Sequence, residues 1–129
     1  GNEILMSRRA NTGHYDGYFS LPAGRVEPKE SVIECIIREA KEEINVDIHK
    51  NDLTLVHFMH RFELENNEIH ECLDFYFKTY MWIGDIKNNE PNKCSELKWF
   101  EIDKWISPVP YIFHAINNAE NELMYSEGY

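Results

Sequence analysis

Between Ser31 and Ile44 the apolar residues recur at helical spacing. At about 100° per residue, Val32, Ile33, Ile36, Ile37, Ala40 and Ile44 share one broad arc, which must face a core. Glu39, Glu42 and Glu43 share the adjoining arc at i, i+3 and i+4. Three carboxylates so placed repel one another, and the last two sit at the helix C-terminus, where the macrodipole disfavours negative charge. A carboxylate run on a helix is ordinarily a solvated face. Here three features point the other way. The cluster borders the buried arc, Arg38 stands beside it, and a glycine-containing loop leads straight into the helix. Hard divalent cations prefer carboxylate oxygen, and one would relieve the repulsion.

The remainder is predicted to alternate irregularly between strand and helix. Glu3–Arg8 and Tyr18–Leu21 read as strands around a loop, Asn11–Gly17, that is rich in turn formers. Leu53–Phe62 and Ile69–Trp82 are rich in β-branched and aromatic residues, and Glu65-Asn66-Asn67-Glu68 reads as the hairpin turn between them. Leu97–Ile102 is a further predicted strand. Val109–Met124 is a second predicted helix, with Ile112, Phe113, Ile116, Ala119 and Leu123 on one side. Asn45 is the expected left-handed stop of the first helix. The pattern predicts an α+β fold with helices packed against a mixed sheet. Gly1-Asn2 reads as the turn of a hairpin whose first strand lies upstream.

Length and composition narrow the function. At 129 residues the chain fits one domain, residues 1–129, and no repeat or linker divides it. No apolar run reaches the roughly 18 residues that a membrane helix needs, so no membrane partner is expected. The net charge of −10 disfavours a nucleic acid polymer as partner. Bound cations would reconcile that charge with a phosphorylated ligand. Cys35, Cys72 and Cys94 are odd in number and form no CxxC pair, which suits reduced thiols in a cytoplasmic protein. The six histidines form no HExxH motif and are read as surface or satisfied core groups.

The segment Gly24-(five residues)-Glu30-(seven residues)-Arg38-Glu39-Ala40-Lys41-Glu42-Glu43-Ile44-Asn45-Val46 resembles the Nudix box, G-x5-E-x7-R-E-U-x-E-E-x-G-U, where U is aliphatic. Every fixed charge stands at its place. Asn45 replaces the final Gly, and Ala40 is a small first aliphatic. The likeness extends to Glu3–Ala10, to Leu21-Pro22-Ala23-Gly24 and to Ser95–Glu101. It implies a Nudix fold, with a mixed sheet sandwiched between helices, and metal-dependent hydrolysis of a diphosphate linkage in a small nucleotide. Mg²⁺ is the implied cofactor, with Mn²⁺ able to substitute, and a homodimer is compatible with it. Glu42 and Glu43 would be metal ligands, and Glu39 a further ligand or the base that activates water. The main-chain carbonyl of Ala23 would be another ligand. Glu30 and Arg38 would brace the site, and Glu96 would be an extra ligand or alternative base. Arg9 matches a phosphate-contacting arginine, although a solvated charge explains it equally well.

Tyr15, Tyr18, Phe19, Phe75 and Tyr111 are candidates for stacking on a base, with Tyr18 and Phe75 taken as substrate-binding; each is also ordinary core material. Members that cleave ADP-ribose or diadenosine polyphosphates tend to carry a Pro or a Tyr past the box. This chain reads Arg61-Phe62-Glu63 there, which favours nucleoside triphosphates. Around Ser107-Pro108-Val109-Pro110 no Asn matches the one that reads 8-oxoguanine in similar enzymes. Two other functions suit the same fold. One is a non-catalytic nucleotide sensor, which usually lacks box glutamates. The other is an isoprenoid diphosphate isomerase, whose catalytic cysteine matches none of the three here.

Overall fold

The structure is a computed structural model that describes residues 2–128. Gly1, half of the expected upstream turn, lies outside the described residues. The chain forms two compact units, Gly1–Asp52 with Met81–Val109, and Leu53–Tyr80 with Pro110–Tyr129.

The first unit holds an antiparallel sheet in the order β2 (Phe19–Ser20), β1 (Glu3–Arg9), β5 (Cys94–Glu101). Alternation along β1 sends successive side chains to opposite faces. Ile4 and Met6 join Phe19, Phe100, Leu21 and Trp105 in one core cluster. Leu5 joins Ala40, Ile44, Val46, Ile48, Ile86 and Leu97 in another, so this second cluster seats the helix α1 (Val32–Ile44).

Both ends of α1 are set by side chains. Ser31 accepts from the Glu34 amide at 3.0 Å, and the Glu34 carboxylate accepts from the Ser31 amide at 3.0 Å, closing a capping box. Asn45 ends the helix at φ 66°, the left-handed conformation expected of it. The buried positions of α1 are Cys35, Ala40 and Ile44, whereas Ile33 is exposed.

The second unit is a mixed sheet in the order β4 (Glu68–Lys78), β3 (Thr54–Glu65), β6 (Tyr125–Gly128), carrying α2 (Pro110–Glu120) in the same unit. β3 and β4 pair antiparallel up to Glu65↔Glu68, leaving the two-residue turn Asn66-Asn67, with both residues at positive φ. β4 stops at Lys78, four residues short of the predicted Trp82.

β6 pairs parallel with β3 and was not expected. The predicted second helix ran to Met124, but α2 ends at Glu120 because Glu122 turns to φ 59° and the Leu123 amide folds back to the Asn118 carbonyl at 2.8 Å. Its buried face is Ile112, Ala115 and Ile116, while Phe113 and Leu123 are exposed. Pro110 opens α2 at a position where a missing amide costs nothing.

The fully buried His57 shows how β6 is held. Its ring nitrogens lie 2.6 Å from the Leu123 carbonyl and 2.7 Å from the Ser126 hydroxyl, so this histidine is a satisfied core group. Arg61 on β3 bonds Asp74 at 2.7 and 3.3 Å and Glu63 at 2.8 Å, with its guanidinium 4.1 Å from the centre of the Tyr111 ring. Burial opposes its charge, but these carboxylates more than offset that and hold it protonated. Cys35, Cys72 and Cys94 are all free thiols. No helix among the described residues is long and apolar enough to cross a membrane.

Candidate functional site

The helix α1 carries Arg38, Glu39, Glu42 and Glu43, and the loop before it carries Ala23, Gly24 and Glu30. Arg38 binds Glu30 through two nitrogens, at 2.7 and 3.0 Å. Its remaining nitrogen reaches Glu39 at 2.8 Å and Glu42 at 3.1 Å, and a further bond of 3.2 Å runs to the Arg25 carbonyl. This fork ties the loop to the helix, and a lysine could not reproduce it. The guanidinium beside Glu30 holds that carboxyl down at about 2. The ion pair equally holds Arg38 charged.

Gly24 is needed for space. A Cβ there would collide with the carboxyl group of Glu39, so this carboxylate rests directly on the loop backbone. Glu43 accepts from the Ala23 amide at 2.9 Å. Its carboxyl is pushed up to about 8, first by burial and then by the charges of Glu39, Glu90 and Glu42. Glu39 is also raised, chiefly by burial.

Glu90 was missed by sequence reading. It lies in the segment before β5, outside any motif, and it is the fourth carboxylate whose charge bears on Glu39 and Glu43. Glu96, the expected fourth member, sits exposed on β5 opposite Arg8, and its side chain makes no hydrogen bond or ion pair among the described residues. Glu101 pairs with Lys104 at 3.1 Å.

Arg9 and Tyr18 flank the loop between β1 and β2. The Arg9 guanidinium donates to the His14 carbonyl at 2.6 Å, and its amide donates to the Tyr18 carbonyl at 2.9 Å. Tyr18 is half-exposed, edge-on to Tyr15 at 5.6 Å. Phe19 is core, packed edge-on against Phe100 at 4.9 Å. Phe75 belongs to the second unit and stacks on Phe58 at 6.3 Å, and Tyr111 lies under Arg61 in that same unit.

Among the described residues no three His, Cys, Asp or Glu side chains are already gathered into a metal cage; Arg38 draws Glu39 and Glu42 to itself. The donor set nevertheless fits a hard cation. All its atoms are carboxylate or main-chain oxygens, and burial together with the neighbouring carboxylates makes Glu43 favour a proton.

A family model described as the NUDIX domain matches residues 1–116. The chain belongs to the Nudix hydrolase family. Among solved structures, the MutT Nudix hydrolase from Burkholderia pseudomallei superposes with a TM-score of 0.80 at 23% identity, covering 90% of this chain and 87% of that one. The fold is therefore the α+β Nudix fold. Among curated relatives, the NAD-capped RNA hydrolase NudC of Pseudomonas aeruginosa (strain LESB58) is 27% identical over 110 residues, which is 85% of this chain and 35% of that protein. The 8-oxo-dGTP diphosphatase of Escherichia coli (strain K12) is 28% identical over 90 residues, 70% of this chain and 61% of that protein. This Nudix chain spans 17% of the length of the NudC of Stutzerimonas stutzeri and 35% of that of P. aeruginosa.

Proposed function

We propose that the chain is a metal-dependent pyrophosphohydrolase that opens a diphosphate linkage in a nucleoside triphosphate or a nucleoside diphosphate derivative, releasing a nucleoside monophosphate. The observation that carries this reading is the face of Glu39, Glu42 and Glu43, braced through Arg38 and Glu30 and laid against Gly24. The names of its relatives support it: an NAD-capped RNA hydrolase and an 8-oxo-dGTP diphosphatase both act on nucleotides. Both compact units serve one domain in this reading, since the family match runs through both.

Glu42 and Glu43 would hold Mg²⁺, or Mn²⁺ in its place, with the Ala23 carbonyl beside them. When bound, the metal neutralises the diphosphate and activates water. Glu39, with its raised carboxyl against the loop backbone, would be a further ligand or the base that accepts the proton of the attacking water. Glu96 is still a candidate for the extra ligand or alternative base, and Glu90, in the segment tied to the end of α1, is a second candidate for that role. Arg9 has its Nε committed to His14, which leaves the rest of its guanidinium for phosphate. Tyr18 is an exposed ring on the same loop, as is Tyr15, and is the candidate to meet a base. Phe75 is the candidate in the second unit.

The test is a panel of nucleotides with Mg²⁺, including NAD-capped RNA, in ¹⁸O-labelled water with chromatography of the products. A nucleoside monophosphate should appear together with pyrophosphate or a second monophosphate, with label on one phosphate product. Free base, free nucleoside as first product, or inorganic phosphate alone from a triphosphate would refute the assignment. So would full turnover in excess chelator.

A further inference from the structure

We infer that Asn45 and Asn89 are positioning residues: they fasten the segment from Asp85 to Cys94 onto the C-terminal end of α1 and so hold Glu90 beside Glu39 and Glu43. The inference rests on the reading of this face as a metal site.

A helix end leaves its last carbonyls without intrahelical partners. Here this one segment and Asn45 take those of Lys41, Glu43 and Ile44. The Asn89 amide donates to the Glu43 carbonyl at 3.0 Å, and the Lys87 amide to the Ile44 carbonyl at 3.1 Å. The Lys41 carbonyl accepts from the Asn45 amide at 3.2 Å and from the Asn89 side chain at 3.3 Å. The Asn45 side chain then donates to the Asp85 carbonyl at 3.2 Å, and its oxygen accepts from the Asn89 side-chain Nδ2 at 3.5 Å. A glycine at position 45, as in the box pattern, would keep the left-handed turn but supply neither side-chain bond. This chain's departure from the pattern therefore adds a tie.

The other side of the segment is equally fixed. The Asn88 side chain accepts from the Glu90 amide at 3.0 Å and donates to the Cys94 carbonyl at 2.6 Å. The Glu90 carbonyl accepts from the amides of Lys93 and Cys94, both at 2.9 Å. Glu90 thus leaves a backbone held at its N–H and its C=O, and that backbone is joined to the helix bearing Glu39 and Glu43. The Asn89 amide on the Glu43 carbonyl seats the Glu90 backbone one residue from that contact, at the turn of α1 that bears Glu43.

Mn²⁺ binding to the free protein, followed by electron paramagnetic resonance, tests the inference without turnover. Asn45→Gly keeps the helix end, because glycine adopts φ 66° without strain. Glu90→Gln and the pair Asn45→Gly/Asn89→Ala should each weaken Mn²⁺ binding about tenfold or more. Adding Glu90→Gln to the pair should weaken it no further, since both changes remove one contribution. Wild-type affinity in the asparagine pair, or losses that multiply, would overturn the positioning role. If Glu43→Gln abolishes binding while Glu90→Gln leaves it intact, the metal site stands and the Glu90 assignment falls. If the wild type binds no Mn²⁺, both fall together. Thermal melts of each variant, with Asn45→Gly alone as the mildest, establish that the folded protein is being compared.

Discussion

Gly24 and Glu43 show how narrowly single residues define the site. With no room for a Cβ at position 24, Gly24→Ala must push the Glu39 carboxylate off the loop. We expect the variant to fold, because the displaced group is the end of a flexible side chain, and to lose about tenfold or more in kcat/KM. Wild-type kcat/KM with an intact melt would return Gly24 to a neutral loop position. Glu43→Gln should lower kcat by about a hundredfold or more, through loss of a metal ligand. Its stability should move with pH. The Glu43 carboxyl is raised in the folded chain, from the usual 4.5 to about 8, so the folded state holds the proton more tightly. The stabilisation from this group is full below about 4.5 and lost as pH rises through about 8. In chelator, Glu43→Gln should therefore gain on the wild type in melting temperature as pH rises through that window. A difference that stays constant with pH would refute the shift. The spacing of Gly24, Glu30, Arg38, Glu39, Glu42 and Glu43 was legible because one helix and its leading loop set it. Glu90 was not, because it reaches the site through hydrogen bonds between a loop and a helix end that no local pattern announces.

At the scale of elements, α1 could be read at both ends, since Ser31 and Asn45 act on their immediate neighbours. β6 could not be read. Tyr125-Ser126-Glu127-Gly128 has no strand signature of its own, and it exists through its parallel pairing with β3 and the bonds of His57. The same cause misplaced the end of α2, because Leu123 gives its carbonyl to His57 instead of continuing a helix. Ser126→Ala leaves a buried ring nitrogen without its hydroxyl partner, which costs about 1–3 kcal/mol. The urea midpoint should fall accordingly with an unchanged slope. A midpoint equal to the wild type would mean that β6 is not anchored through His57.

For the whole molecule, the charge of −10 and the two sheets were differently accessible. The α+β class followed from the order of elements, whereas the division into two three-stranded sheets follows from long-range pairing such as Glu3↔Glu101. The acidity has a thermodynamic corollary in Glu43. Near neutral pH this carboxyl still carries most of its proton in the metal-free chain, because its titration lies at about 8. A divalent cation can take that oxygen only as the proton departs to solvent. Metal uptake is then also an acid-release reaction, and a calorimeter records the buffer's heat of protonation along with the binding. Injections of Mg²⁺ in HEPES and in Tris, which differ in heat of protonation, should give different apparent enthalpies near neutrality and converge well above pH 8, where Glu43 is already ionised. Equal enthalpies in the two buffers at neutral pH would mean that no proton leaves.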